Sequence, residues 1–350
     1  MTSDITMLIL AATVLLALTF ILTNGLHDAS SVVATFISCG AATPSQAILL
    51  AAVFGLAGAL FSGNAVGNTI ASIGDLPVDE KLLPVILAAL MGAVVWNLFT
   101  WHFGLPSSST HALVGGIIGA VWISYGPRHV LWGWQEIVGE QPYLAGVLKV
   151  IVSLLFSPLF GFIVGYALQK GMLLLLRNAK FTVNRRLQQA QWLMAALLAF
   201  SHGANDTQKT VGLVVVVLVG AHLLPSLDPP LWIRLSAGLL MFAGTMFGGW
   251  AIMKTVGSGI YSIRPLHSLN SQISAGSSVA LATLLGAPVS TTHVVVGSIV
   301  GVGTAEEYRM VNWKISQEIL IAWFITIPAA AMTAAMMYLS FSIFGIGGGQ

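Results

Sequence analysis

Charge is what this sequence has least of. Only 7% of its 350 residues are Asp, Glu, Lys or Arg, against roughly a quarter in soluble domains, and the first Lys or Arg is Lys81. That scarcity excludes a soluble globular chain. A formal net charge of +2 excludes an electrostatic surface for nucleic acid. The single cysteine, Cys39, cannot form an intramolecular disulfide, and the histidines have no metal-ligand spacing, so neither redox chemistry nor a metal site is indicated. A Gly-x-x-x-x-Gly-Lys-(Ser/Thr) loop is missing, which excludes ATP hydrolysis by that mechanism. No basic stretch precedes the first apolar segment, so that segment is expected to be a retained span and not a cleaved signal.

What the chain has instead is apolar length. Hydrophobic residues make up 56% of it, in runs such as Ile5 to Phe20, Leu83 to Phe103, Val147 to Leu168, Leu235 to Ile252 and Ile319 to Leu339. Runs of this size predict an all-α integral membrane protein, a helical bundle of about 10–12 spans. Long unbroken apolar runs exclude a β-barrel, because lipid offers the backbone no hydrogen bonds and helices supply their own.

Between Lys170 and Arg186 lie five basic residues and no acid, which the positive-inside rule places in a cytoplasmic loop. The loop divides the chain into halves that match. Asn24-Gly25-Leu26-His27-Asp28 is answered by His202-Gly203-Ala204-Asn205-Asp206. Gly63, Val66, Thr69 and Ile70 share their spacing with Gly249, Ile252, Thr255 and Val256. Gly104-Leu105-Pro106-Ser107-Ser108-Ser109-Thr110-His111 is echoed by Gly286-Ala287-Pro288-Val289-Ser290-Thr291-Thr292-His293. The loop after the pattern at Gly63 holds Asp75, Asp79, Glu80 and Lys81, whereas its counterpart holds Lys254 and Arg264 and no acid. Opposite charge bias in matched loops predicts opposite sides of the membrane, hence inverted-topology repeats with broken, re-entrant helices. The expected organisation is one transporter domain, 1–350, with a first repeat at 1–125, linking spans and the basic loop at 126–189, and a second repeat with a final span at 190–350.

The duplicated residues carry the chemistry. An Asp at the centre of a membrane helix costs about 2.5–3.5 kcal/mol even on the lenient insertion scale, so Asp28 and Asp206 need partners. Lys209, one turn from Asp206, is a local candidate. Alternatively the glycines unwind their helices and the carboxylates serve a cation or a proton. Pro106 to His111 and Pro288 to His293 read as proline-led, hydroxyl-capped helix starts, whose unpaired N–H groups suit a tetrahedral oxyanion; bare capping is the simpler alternative. His27, His111 and His293 read as neutral hydrogen-bond partners that fix geometry. Gln272 is a further polar contact. The runs at Gly115-Gly116 and Gly297 to Gly303 read as close helix packing.

Asn24 to Ala29, His202 to Gly212 and the paired Pro-x-Ser-(Ser/Thr)-Thr-His motifs resemble the signatures of the inorganic phosphate transporter (PiT) family, across both halves. The resemblance implies a secondary symporter of the cytoplasmic membrane that takes up orthophosphate, alone or as a metal-phosphate complex, driven by H+ or Na+, with no covalent cofactor. It implies phosphate contacts at Ser107, Ser108, Ser109, Thr110, Asn205, Ser290, Thr291 and Thr292. Asp28 and Asp206, with Asn24, Thr69 and Thr255, would serve the coupling ion, supported by His27, His111, His293, Lys209 and Gln272. Its expected partners are the lipid bilayer, a second copy in a homodimer and a cytoplasmic PhoU-like accessory protein, and not nucleic acid. One departure is Ser31, which stands where an amide is common and offers a shorter, weaker cation ligand. Sulfate is the alternative anion. An intramembrane hydrolase is disfavoured because every polar cluster is duplicated, whereas one nucleophile needs one base, and an anion channel because it needs no intramembrane acid.

Overall fold

The computed structural model describes residues 3–74, 76–139 and 142–346; Asp75, part of the loop-charge comparison, lies outside them. Among the described residues the regular structure is helical, with one isolated bridge between Gly74 and Val130. The α-helices are α1 (Ser3–Ser38), α2 (Pro44–Phe61), α3 (Ala65–Ala71), α4 (Leu82–His102), α5 (Ser109–Tyr125), α6 (Trp134–Val138), α7 (Gly146–Leu175), α8 (Val183–Gly220), α9 (Leu231–Phe247), α10 (Trp250–Lys254), α11 (Pro265–Leu284), α12 (Thr291–Glu307) and α13 (Trp313–Ile343). Five of them, α1, α2, α4, α7 and α13, are long and apolar enough to cross a membrane alone, and α9 with the segment 252–259, bent 74° from it, makes six. The other helices fall short of the roughly 10–12 spans expected: α8 has 38 residues but a polar centre, and α5 is apolar but only 17 residues long.

The bundle is apolar outside and polar within. Leu155, Phe156, Phe324 and Met332 are more than half exposed, while Asn24, His27, Asp28, Asn205, Asp206 and Lys209 are buried. Lipid as solvent selects that distribution, since it hydrates no polar group and penalises no exposed leucine.

Two apolar cores flank the polar layer, and together they set the direction of each helix. α1 enters the first core at Leu10 to Ile21, passes through the polar stretch from Thr23 to Ser31, and enters the second at Val32 to Phe36. α8 runs the other way: Ala195 to Ala199 lie in the second core, Ser201 to Thr210 in the polar layer, and Val211 to Leu218 in the first core. The two acid-bearing helices are therefore antiparallel. Likewise α4 and α5 belong to the first core, α11 and α12 to the second, so each pair reaches the polar layer from its own side.

Both α1 and α8 pass through their Gly-x-x-Asp motifs without a break, so these glycines do not unwind them. They serve approach instead. A Cβ on Gly203 would lie 2.0 Å from the carbonyl oxygen of Gly55 in α2, and one on Gly25 would lie 2.6 Å from that of Met241 in α9. The same logic holds at the expected packing glycines: a Cβ on Gly115 would meet the Ile327 carbonyl at 2.4 Å, and one on Gly297 that of Pro158 at 2.3 Å. The basic segment is also not a long loop. α7 runs to Leu175 and α8 starts at Val183, so Lys170, Arg185 and Arg186 extend helix ends, where charged heads leave the apolar layer while the backbone stays helical.

Candidate functional site

Two helix hairpins build the centre of the molecule, and they are made alike. α4 closes in a Schellman turn: Gly104 takes φ +65°, its N–H donates to the Trp101 carbonyl at 3.0 Å, and that of Leu105 to Thr100 at 2.9 Å. α11 closes with Gly286 at φ +63°, its N–H donating to Thr283 at 3.1 Å and that of Ala287 to Ala282 at 2.8 Å. A side chain at either glycine would meet the left-handed penalty. Ser108 then caps α5, accepting from the His111 N–H at 3.2 Å, and Ser290 caps α12, accepting from the His293 N–H at 3.4 Å. Pro106 and Pro288 precede these caps by two residues and are not the first helical residues, because the caps require extended backbone and the prolines rigidify the approach to it. The tips touch. Thr110 Oγ1 donates to the Val289 carbonyl at 3.0 Å, and the His111 and His293 rings stand 4.5 Å apart.

Asp28 lies against both tips. Its carboxylate accepts from Ser109 at 2.5 Å and from Thr292, in the opposite half, at 2.9 Å. Ser31 Oγ is 2.9 Å from Thr292 Oγ1, and His27 Nδ1 is 3.3 Å from the same carboxylate. The other face of His27 is held by Thr100 at 3.3 Å and Ser107 at 3.4 Å. The result is a carboxylate ringed by hydroxyls.

Asp206 has a different company. His202 Nδ1 lies 2.7 Å from Oδ2, Thr291 donates to the same oxygen at 3.4 Å, and the Lys209 ammonium is in direct contact with Oδ1. Lys209 also donates to Thr110 of the first hairpin at 2.6 Å and to the Val289 carbonyl at 2.5 Å. Asn205 holds the second hairpin on both flanks: its carbonyl accepts from the Val289 N–H at 3.2 Å, and its amide donates to Thr283 at 2.9 Å and Ala287 at 3.2 Å. So Thr292 crosses to the acid of the first half while Thr110 crosses to the lysine of the second.

The structure thus gathers Asp28, Asp206, His27, Asn205, Lys209, Ser107, Ser109, Thr110, Thr291 and Thr292, and gives Ser108 and Ser290 capping work. It disperses others. Thr69 donates to the Gly286 carbonyl at 2.7 Å, at the base of the second hairpin. Thr255 sits in a π-helical turn, 255–259, whose Gly257 packs on Ala34 and Ser38 of α1, beyond the acid. Gln272 donates to Ser268 on its own helix at 3.0 Å. Asn24 is buried, and its carbonyl oxygen has no partner among the described residues. His111 and His293 do not bind the carboxylates: Nδ1 of His111 and both ring nitrogens of His293 lack partners among the described residues, and the His293 ring stacks on Trp323. Two further residues lie outside the motifs, and one stands in a motif without an assigned role. Thr100 is a lone hydroxyl in an apolar helix, His202 stands at the repeat position of Asn24, and Lys149 reaches Thr69 at 3.0 Å from α7. Only His202 carried a signal, through the duplication.

Comparison with known proteins identifies the family. The profile of the phosphate transporter family matches residues 24–334. A probable low-affinity inorganic phosphate transporter of Bacillus subtilis is 37% identical over 339 residues, covering 96% of this chain and 98% of the relative. Its counterpart in Rhizobium meliloti is 36% identical, over 94% and 96% of the two chains. A solved structure described as the sodium-dependent phosphate transporter superposes with a TM-score of 0.85 at 26% identity, covering 96% of this chain and 99% of that one. A multi-pass membrane transporter and not an enzyme, the chain belongs to the phosphate transporter family.

Proposed function

We propose that the chain is a secondary symporter that carries inorganic phosphate across the cytoplasmic membrane together with a monovalent cation. Phosphate is bound between the starts of α5 and α12 by Ser109, Thr110, Thr291 and Thr292, with the helix N-termini and the Lys209 ammonium supplying positive potential. The coupling cation is held at Asp28. A carboxylate with hydroxyl oxygens around it is an oxygen donor set of the kind hard cations select, and the sodium-dependent structural relative favours sodium. A proton is the second reading, favoured by His27 Nδ1 at 3.3 Å from the carboxylate.

The observation that carries this reading is Thr292, whose hydroxyl belongs to the second hairpin and donates to Asp28 at 2.9 Å. A cation on Asp28 satisfies the carboxylate and releases that hydroxyl toward phosphate, so each ligand improves the site of the other, as symport requires. Antiparallel acid helices and hairpins arriving from opposite cores support inverted repeats and alternating access by rocking about the tips.

The test is uptake of labelled phosphate by proteoliposomes, first under an inward sodium gradient at clamped pH, then under a proton gradient without sodium. Sodium stimulation is expected. Absence of phosphate movement under both gradients, with sulfate carried instead, overturns the substrate assignment; loss of uptake on chelating divalent cations identifies a metal-phosphate complex as cargo.

A further inference from the structure

The imidazole beside each acid comes from a different repeat position, His27 and His202, but four other positions correspond: Asp28 with Asp206, Ser109 with Thr291, Thr292 with Thr110, and Ser31 with Lys209. The last pair breaks the match. In the first half the fourth position is a hydroxyl, 2.9 Å from Thr292. In the second it is a buried ammonium, and its three N–H donors meet three oxygens, those of Asp206, Thr110 and the Val289 carbonyl. An ammonium surrounded by a carboxylate, a hydroxyl and a carbonyl occupies the place that a bound cation would take among the same ligands. Its attachment to α8 means that it cannot leave.

Resting on the symport reading above, we propose that Lys209 is a tethered cation that permanently fills the ion position of the second half, leaving the position at Asp28 as the exchangeable one. The two halves then divide the work: one keeps its positive charge through the whole cycle and attracts the anion, while the other gains and loses a cation and so senses the gradient. Replacing the lysine by the residue at its repeat position frees the oxygens of Asp206, Thr110 and Val289, and the new hydroxyl adds a further one.

The experiment is equilibrium binding of radioactive sodium to the purified full-length chain in phosphate-free choline buffer, for wild type, Lys209→Ser and Ser31→Lys. Lys209→Ser is expected to bind one more sodium per chain than wild type; an unchanged stoichiometry overturns the proposal. Ser31→Lys is expected to bind one fewer, and retention of the ion at wild-type stoichiometry counts equally against it. A wild type that binds no sodium removes the sodium reading of Asp28 and leaves the gain in Lys209→Ser as the deciding result, so the two failures are told apart. If Lys209→Ser aggregates in choline, replacing choline by sodium is expected to restore a monodisperse protein with a higher melting temperature; equal aggregation in both salts overturns the proposal.

Discussion

Asp28 and Asp206 occupy matched places in matched helices, yet one faces hydroxyls and the other a lysine. Both are buried, so both must meet the same desolvation cost, and they meet it by different means. Asp206 is neutralised within its own helix by a residue one turn away, with His202 on the other carboxylate oxygen. Asp28 is held by hydrogen bonds from Ser109 and Thr292 and has His27 as its nearest titratable neighbour. In the symport proposed above, the first arrangement is the permanent one and the second the adjustable one.

Removing each carboxylate breaks the comparison most severely. Asp206→Asn strands the Lys209 ammonium in the interior, and breaking a buried ion pair from one side costs about 3–5 kcal/mol. Melting temperature and folded yield in detergent are expected to fall together with uptake. Asp28→Asn strands no fixed charge, so its melting temperature is expected to fall less than that of Asp206→Asn while gradient-driven phosphate uptake is lost. Equal thermal destabilisation in the two variants would erase the proposed division of labour.

The crossing hydroxyls sharpen it next. Thr110→Val removes an acceptor from Lys209 and Thr292→Val removes a donor from Asp28, each a hydrogen bond to a charged group worth about 1.5–3 kcal/mol. The stability loss is expected in both. Cation dependence of uptake should change in Thr292→Val, where the half-saturating sodium concentration shifts, and hold in Thr110→Val. A shift of the same size in both variants would mean that the two acids share one ion.

The glycines on the acid helices come third. A Cβ at position 203 lies 2.0 Å from the Gly55 carbonyl, a closer clash than the 2.6 Å between position 25 and Met241. Overpacking of this kind costs about 1–3 kcal/mol, so Gly203→Ala is expected to lower the melting temperature more than Gly25→Ala. Increased helix content in either, by circular dichroism, would instead revive an unwound motif.

These glycines also mark where reading the chain stops. A glycine three residues before a buried acid is compatible with an unwound turn and with a close helix crossing, and only the neighbour decides; Gly55 and Met241 are 148 and 216 positions away from their partners, well beyond any local pattern. The hairpins were legible because their parts are local: Gly104 and Gly286 end a helix, Ser108 and Ser290 start the next, and both copies sit within a few residues. The acids were legible as a pair because burial of charge in lipid needs a reason. What each acid touches was not, since Thr292 reaches Asp28 across 264 positions and Thr110 reaches Lys209 across 99. Thr69 and Thr255 show the converse, a repeat in sequence whose members stand at a hairpin base and in a π-helical turn packed on α1.

The smallest expected effect is also the most symmetric one. Ser108 and Ser290 accept from the third N–H of their helices at 3.2 and 3.4 Å, and loss of such a cap costs about 1 kcal/mol. Ser108→Ala and Ser290→Ala are therefore expected to lower the melting temperature by similar amounts, and their combination by about the sum, because the caps share no partner. Phosphate affinity should change little in either, whereas adding Thr292→Val to Ser290→Ala should weaken phosphate binding further without a matching second loss of stability beyond that of Thr292→Val alone. If Ser290→Ala by itself reduced phosphate affinity as strongly as the double variant, its hydroxyl would be a ligand that turns away from the helix during transport. The capping role would then belong only to the state described by these hairpins.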